Sequence, residues 1–394
     1  MESFPGATYV FVRSGDEWIQ EAKIVPSSFA EESFTLFGHS VALSGSKLLV
    51  GAMQGAKSNG SAYVYDRDGG KWTEEATLVA SDGTSGAHFG ISVSLSGDVA
   101  VVGAPSATCN NPESRFCGAA YVFQKREGTW VEHGKLTASD QASYDFFGRT
   151  VAVSGDTLAA GTYLHSNHHG PPGAAYVFRR SDDIWTEHGK LATPLSSHGG
   201  IFGFSVALQG SRLLVGAPGE VSGDDNIGSG AVYVYSSDGE GWTEDGKITP
   251  PEGPSKNFFG DALALSGDAI VVGASLDKAN GTEAGAAYAF TAIKDSKPSL
   301  PPVSKVEPAR DVEWTKSFPV DGNGGDDITT IPADPAQEAP MVEEADFWVG
   351  GGGGCTYGRQ LFPFHTPSLN LLPVAAIAVA RLRRRRRALQ AGRS

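Results

Sequence analysis

Apolar and polar residues alternate with a period of two through much of residues 1–293, and no stretch carries the 3.6-residue period of an amphipathic helix. In Ser205-Val206-Ala207-Leu208 the larger apolar side chains take every second position, the pattern of a half-buried strand. Gln209-Gly210-Ser211 predicts a tight turn, and Leu213-Leu214-Val215 predicts a return strand that is apolar on both faces. The same turn reads Ser-Gly-Asp from Ser96, Ser154 and Ser266. Glycine there supplies positive φ without a Cβ clash, and the flanking Ser or Asp can bond the turn backbone. A longer loop then leads to Tyr233-Val234-Tyr235, and a short turn to a strand opening with Trp242-Thr243-Glu244. These four strands predict one antiparallel sheet.

The unit recurs. Phe-Gly pairs stand at Phe37, Phe89, Phe147, Phe202 and Phe259, at steps of 52, 58, 55 and 57 residues. A second Gly follows each Phe by 14 residues, at Gly51, Gly103, Gly161, Gly216 and Gly273. Aromatic strand centres follow at Tyr63, Tyr121, Tyr176, Tyr233 and Tyr288. Trp72, Trp130, Trp185 and Trp242 each precede the next Phe-Gly by 17 residues. Four strands every ~55 residues predict an all-β propeller of about five to six four-stranded antiparallel blades. Tyr9-Val10-Phe11 and Trp18 read as the last two strands of a unit whose first hairpin would precede Met1, and Tyr288-Ala289-Phe290 as a third strand. A start codon placed late, with an export signal and earlier strands upstream, is the expectation.

These landmarks resemble the FG-GAP repeat, the blade unit of integrin α-chain heads and of many bacterial surface proteins. Phe202-Gly203 through Gly216-Ala217-Pro218 carries the resemblance most fully, and Phe89-Gly90 through Gly103-Ala104-Pro105 nearly so. It implies a propeller over residues 1–293, with the Phe residues filling the space between blades and the Gly residues letting backbones pass closely.

Charge and composition change beyond residue 293. Residues 294–349 are rich in Pro, Asp, Glu and Ala and read as a disordered spacer. Residues 350–394 order a Gly run, Cys355, an apolar stretch over 369–380 and Arg383 to Arg387. That stretch spans only ~20 Å as a helix against ~30 Å of hydrocarbon, so it predicts passing rather than permanent anchoring. The order resembles the C-terminal sorting signals of bacterial surface proteins, most closely the myxobacterial type. The resemblance implies an exported, surface-displayed protein, in contact with the membrane only through this tail, with Cys355 as the processing or lipid-attachment residue. Seven Arg lie in residues 381–394, leaving 24 bases against 45 acids elsewhere. So acidic a body repels phosphate backbones, and no nucleic-acid partner is expected.

Candidate chemistry is confined to loops. Cys109 and Cys117 bracket one short loop and predict a local disulfide outside the cytoplasm. His165, His168 and His169 share the corresponding loop of the next unit. Such imidazoles suit Zn²⁺ or Ni²⁺, but a solvated loop explains them more simply. The integrin resemblance implies calcium loops of the Asp-x-Asp/Asn-x-Asp type; Asp224-Asp225-Asn226 comes nearest, and no other cofactor is expected. Nucleophile-elbow, zincin and P-loop signatures are absent, so an enzyme is not expected. The loops between second and third strands vary while the strands stay constant, which predicts binding or adhesion toward a protein or glycan. The alternatives are a metal-dependent enzyme built on the third-unit histidines, or a purely structural envelope component.

Overall fold

The computed structural model describes residues 6–291 apart from 16, 28–34, 55–58, 84, 163–172, 194–200, 223–226, 252–256 and 278–284, together with the backbone of 349–351 and 354–356. The chain is an all-β, five-blade propeller. An N-terminal hairpin, β1 (Thr8–Ser14) and β2 (Glu17–Ile24), precedes the first blade. Blade one is β3 (Phe37–Ser44), β4 (Lys47–Ala52), β5 (Ser61–Asp68) and β6 (Lys71–Leu78). Blade two is β7 (Ser92–Ser96), β8 (Val99–Ala104), β9 (Ala119–Arg126) and β10 (Thr129–Leu136). Blade three is β11 (Thr150–Ser154), β12 (Thr157–Thr162), β13 (Ala174–Ser181) and β14 (Ile184–Leu191). Blade four is β15 (Ser205–Gln209) and β16 (Arg212–Ala217), then a small ladder β17 (Val221–Ser222) and β18 (Ile227–Gly228), then β19 (Ala231–Ser237) and β20 (Trp242–Ile248). Blade five has three described strands, β21 (Phe259–Ser266), β22 (Ala269–Ala274) and β23 (Ala286–Thr291). A separate hairpin, β24 (Val349–Gly351) and β25 (Gly354–Thr356), pairs Gly350 with Cys355. Every pairing within a blade is antiparallel, in sequence order from the innermost strand outward.

The period-two pattern becomes two core faces in each of blades one to four. Ala100, Val102 and Ala104 of β8 join a core shared with blade one, while Val99 and Val101 join the core shared with blade three. The second strands of blades one to four are therefore buried on both sides, which is why Leu213, Leu214 and Val215 are apolar without a break and fully buried, whereas Val271 of blade five is 41 % exposed. Phe37, Phe89, Phe147, Phe202 and Phe259 are at most 3 % exposed. Each makes edge contacts with two rings of its blade's third strand; Phe147, for example, lies 5.5 Å from Tyr176 and 5.9 Å from Phe178. Edge-to-face pairs of this kind add to the burial of so large a side chain.

Each Phe-Gly pair forms the centre of a tight turn. His39 N–H donates to Leu36 O at 3.1 Å, and the same bond recurs at Ile91, Arg149, Phe204 and Asp261. The Gly third in the turn has φ between +82° and +96° in all five units, as type II geometry requires. The second Gly of each unit serves a different end. A Cβ on Gly103 would stand 1.9 Å from the carbonyl oxygen of Gly148, so only glycine lets blade two approach the turn of blade three. Parallel bridges between Gly60 and Phe89, Gly118 and Phe147, and Gly230 and Phe259 stitch the same junctions.

One irregularity also repeats. The pairing of third and fourth strands slips by one residue in the hairpin and in blades one to four. The residues left without a partner are Glu21, Glu75, His133, His188 and Asp245. Such bulges turn a side chain out of the ladder.

Candidate binding face

Connections between second and third strands, and between one blade and the next, all emerge at one end of the molecule; the tight turns within hairpins occupy the other. On the loop end Cys109 and Cys117 form a disulfide with Cα atoms 5.1 Å apart. The bridge closes the loop that carries Phe116, and backbone bonds fasten that loop to the next blade. Tyr144 N–H donates to Arg115 O at 2.8 Å, Phe146 N–H to Phe116 O at 3.1 Å, and Phe147 N–H to Cys117 O at 2.9 Å. The result is an aromatic group standing on a fixed backbone. Phe116 stacks on Phe146 at 5.9 Å, and Tyr144 lies 5.6 Å from Phe116. Phe116 and Tyr144 are 41 % and 46 % exposed. All three have positive φ, at 55°, 68° and 54°. Bulky residues held in the left-handed region mark positions where surrounding structure overrides local preference.

Phe146 belongs to a wider series. The residue before each Phe-Gly pair is Leu36, His88, Phe146, Ile201 or Phe258, each with φ between 49° and 58°. Leu36 is exposed and the other four are half-buried, so each blade presents one such side chain beside the axis at the loop end. The residue after each pair lies on the innermost strand or at its entry. There Arg149 sits over the ring of Phe204 at 5.6 Å, and its charge reaches His39 and His88. Burial holds both imidazoles below their ordinary value, and the Arg149 charge adds to this. His88 Nδ1 is 2.9 Å from Ser106 Oγ. Asp261 has its carboxyl raised by burial, against the opposing effect of the Ser275 hydroxyl and N–H.

A Tyr–acid–Lys arrangement also stands out, but its repetition identifies it as scaffold. Tyr121 donates to Asp82 at 2.6 Å and Lys135 pairs with the same carboxylate. Tyr176, Asp140 and Lys190 repeat it in blade three, and Tyr233, Glu220 and Lys247 in blade four. Burial pushes the tyrosine hydroxyls up, and Lys135 and Tyr121 outweigh burial in lowering the Asp82 carboxyl. A device present in three successive blades ties strands together; it does not mark one place on the molecule.

The FG-GAP repeat matches residues 18–65, 72–123, 130–178, 185–235 and 242–290. The chain belongs to the FG-GAP repeat family. Comparison with curated proteins finds no significant match. Among solved structures, this FG-GAP propeller is similar to a protein from Bacteroides uniformis provisionally named a 6-phosphogluconolactonase. The identity is 13 %, the TM-score 0.47, and the match covers 75 % of this chain and 77 % of the other. At that distance the likeness says nothing of chemistry.

Of the residues singled out by sequence, only the cysteine pair of this FG-GAP propeller lies in a described loop. His165, His168 and His169, and Asp224, Asp225 and Asn226, lie outside the described residues. Cys355 is placed only by its backbone, in β25. Among the described residues no three His, Cys, Asp or Glu side chains gather as a metal site, and no helix is long and apolar enough to cross a membrane. Sequence reasoning passed over Phe116, Tyr144 and Phe146. Their signal was three aromatic residues, Tyr144, Phe146 and Phe147, within four positions at the third Phe-Gly pair, a density no other unit matches.

Proposed function

We propose that this protein is an exported binding propeller that engages a protein or glycan ligand through its loop end, centred on Phe116, Tyr144 and Phe146. The observation that carries the reading is the aromatic group itself: exposed, in left-handed backbone, and fastened on both sides by the disulfide and by inter-blade bonds. Rigid aromatic side chains give large contact area at little entropic cost, both for stacking on sugar rings and for anchoring protein interfaces. The apolar members of the axial series, Leu36, Ile201 and Phe258, extend the same surface. The disulfide supports an oxidising compartment, and the Gly-rich, Cys355, apolar and Arg order of residues 350–394 supports retention at or release from a cell surface through a sorting tail. Recognition without turnover is the activity that this arrangement serves.

The test is a glycan array, with crosslinking to intact producing cells alongside, using the native protein and a Phe116→Ser/Tyr144→Ser variant. Loss of about 2 kcal/mol or more of binding, with the melting temperature unchanged, is the expected result. Equal binding by the two proteins removes the aromatic group from the function.

A further inference from the structure

The bulge residues of the fourth strands report on a second site, at the opposite end of the molecule. At the junction of the N-terminal hairpin with blade one, the bulged Glu21 accepts from Arg67 Nε at 2.6 Å and from Trp72 Nε1 at 2.9 Å. At the junction of blades one and two, Glu75 accepts from Trp130 Nε1 at 3.2 Å and pairs with Lys125. A carboxylate from one blade thus fills the space beside the tryptophan of the next, with a long cation closing over it. In the next junction the bulge residue is His133, which is taken up by the backbone oxygen of Asp183 and by Arg126 at 3.2 Å. The indole nitrogen of Trp185 is left buried there without a hydrogen-bond partner.

Between blades three and four both charged members are replaced. His188 stands where Glu21 and Glu75 stand, and Ser237 where Arg67 and Lys125 stand, while Trp242 keeps the tryptophan position. A cleft of about 270 Å³ occupies the vacated space, lined by Trp242, His188, Arg179, Ser237, Ser211 and Thr157 among others. The buried Val177 is part of its lining. The nearby carboxylates are turned to other tasks. Asp156 holds Arg180 at 2.8 Å, and Asp238 accepts the N–H groups of Glu240 and Gly241. Arg179 reaches across to Gly239 O, which keeps a guanidinium at the rim.

We propose that this cleft binds a hexuronate sugar, whose carboxylate takes the place that Glu21 and Glu75 fill at the other junctions. The Trp242 indole N–H, with Arg179 and His188 beside it, supplies the donors that the repeat elsewhere aims at a carboxylate. Ser211, Ser237 and Thr157 line the same cleft and would offer hydroxyls to the ring, the Ser237 Oγ also accepting from Gly239 N–H at 3.1 Å, and the volume suits one sugar ring, being below the range of drug-sized pockets. A charge-assisted bond beside an apolar wall gives an acid preference over the neutral sugar. This site lies at the turn end and does not depend on the loop-end reading.

The experiment titrates the full chain with methyl glucuronide, methyl glucoside and N-acetyl-glutamate α-N-methylamide, whose side-chain carboxylate stays free, following the Trp242 indole N–H resonance in the native chain and binding heat by calorimetry in the variants. The glucuronide should move that resonance and bind at least about tenfold more tightly than the glucoside, the scale of one charge-assisted hydrogen bond. His188→Glu, which restores the carboxylate of the other junctions, should abolish binding while leaving the melting temperature in place. Trp242→Phe keeps the packing, removes the donor, and should lose about tenfold. No shift with glucuronide, equal binding of the two sugars, or undiminished binding by His188→Glu overturns the proposal. N-acetyl-glutamate α-N-methylamide binding as tightly as the glucuronide also overturns it, in favour of an acidic peptide.

Discussion

Replacing Phe147 with Ala tests how the blades hold together. The side chain has no exposed surface and sits in a core contributed by blades two and three. Burying a phenylalanine removes ~150–250 Å² from water, and its loss in close-packed cores costs about 3–5 kcal/mol once the cavity is included. Two edge contacts, with Tyr176 and Phe178, are lost with it, which places the expected cost near ~4 kcal/mol. An unfolding entropy near ~0.6 kcal/mol/K for a body of this size turns that into a fall of about 6–7 °C in melting temperature. Phe116→Ala is the matched control, since the same residue type is removed from a surface position at a cost of about 1 kcal/mol or less. Urea titration and thermal melts followed by far-ultraviolet circular dichroism supply both numbers. If the two variants melt within about 2 °C of each other, the Phe-Gly side chains do not bear the inter-blade packing inferred here.

Reduction of the Cys109–Cys117 bridge should lower stability by about 2.5 kcal/mol, the chain-entropy value for a loop of this length, and broaden the Phe116 ring resonances while leaving those of blade four sharp. Stability should also fall as pH drops from 6.5, the ordinary imidazole value, because His39 and His88 bind protons more readily in the unfolded chain than in the folded one. Urea midpoints between pH 7.5 and 5 check this, and His39→Gln/His88→Gln should flatten that part of the profile. For the tail, mass spectrometry of the surface protein should find a C-terminus near Cys355 and no Arg383 to Arg387; a peptide ending at Ser394 removes the processing role.

The Phe-Gly, Gly and Tyr-Val-Tyr landmarks were legible in sequence because each answers a demand that recurs at every blade. A buried Phe needs its volume, Gly103 its close approach, and Gly148 its positive φ. The strand order followed, since alternating sides of β8 serve two different cores. The bulges were not legible. A slipped register leaves no mark in apolar alternation, so Glu75 and His188 read as ordinary polar residues until pairing put them between blades. The aromatic group escaped for a related reason. Phe116 and Tyr144 lie far apart in sequence, and only the backbone bonds from one loop to the next bring them together.

Leu36, His88, Phe146, Ile201 and Phe258 occupy one backbone slot five times over. Each non-glycine residue in left-handed geometry costs about 1–2 kcal/mol, least for a side chain such as His88 and most for a β-branched one such as Ile201. Exchanging Leu36, Phe146 or Phe258 for another unbranched or aromatic side chain therefore changes folding little, while altering what the axial mouth presents. Glycine would relieve the strain and erase the contact. At these three positions the slot separates mutational change in recognition from mutational change in stability, and a lineage, or a designer's library, could explore them without revisiting the core.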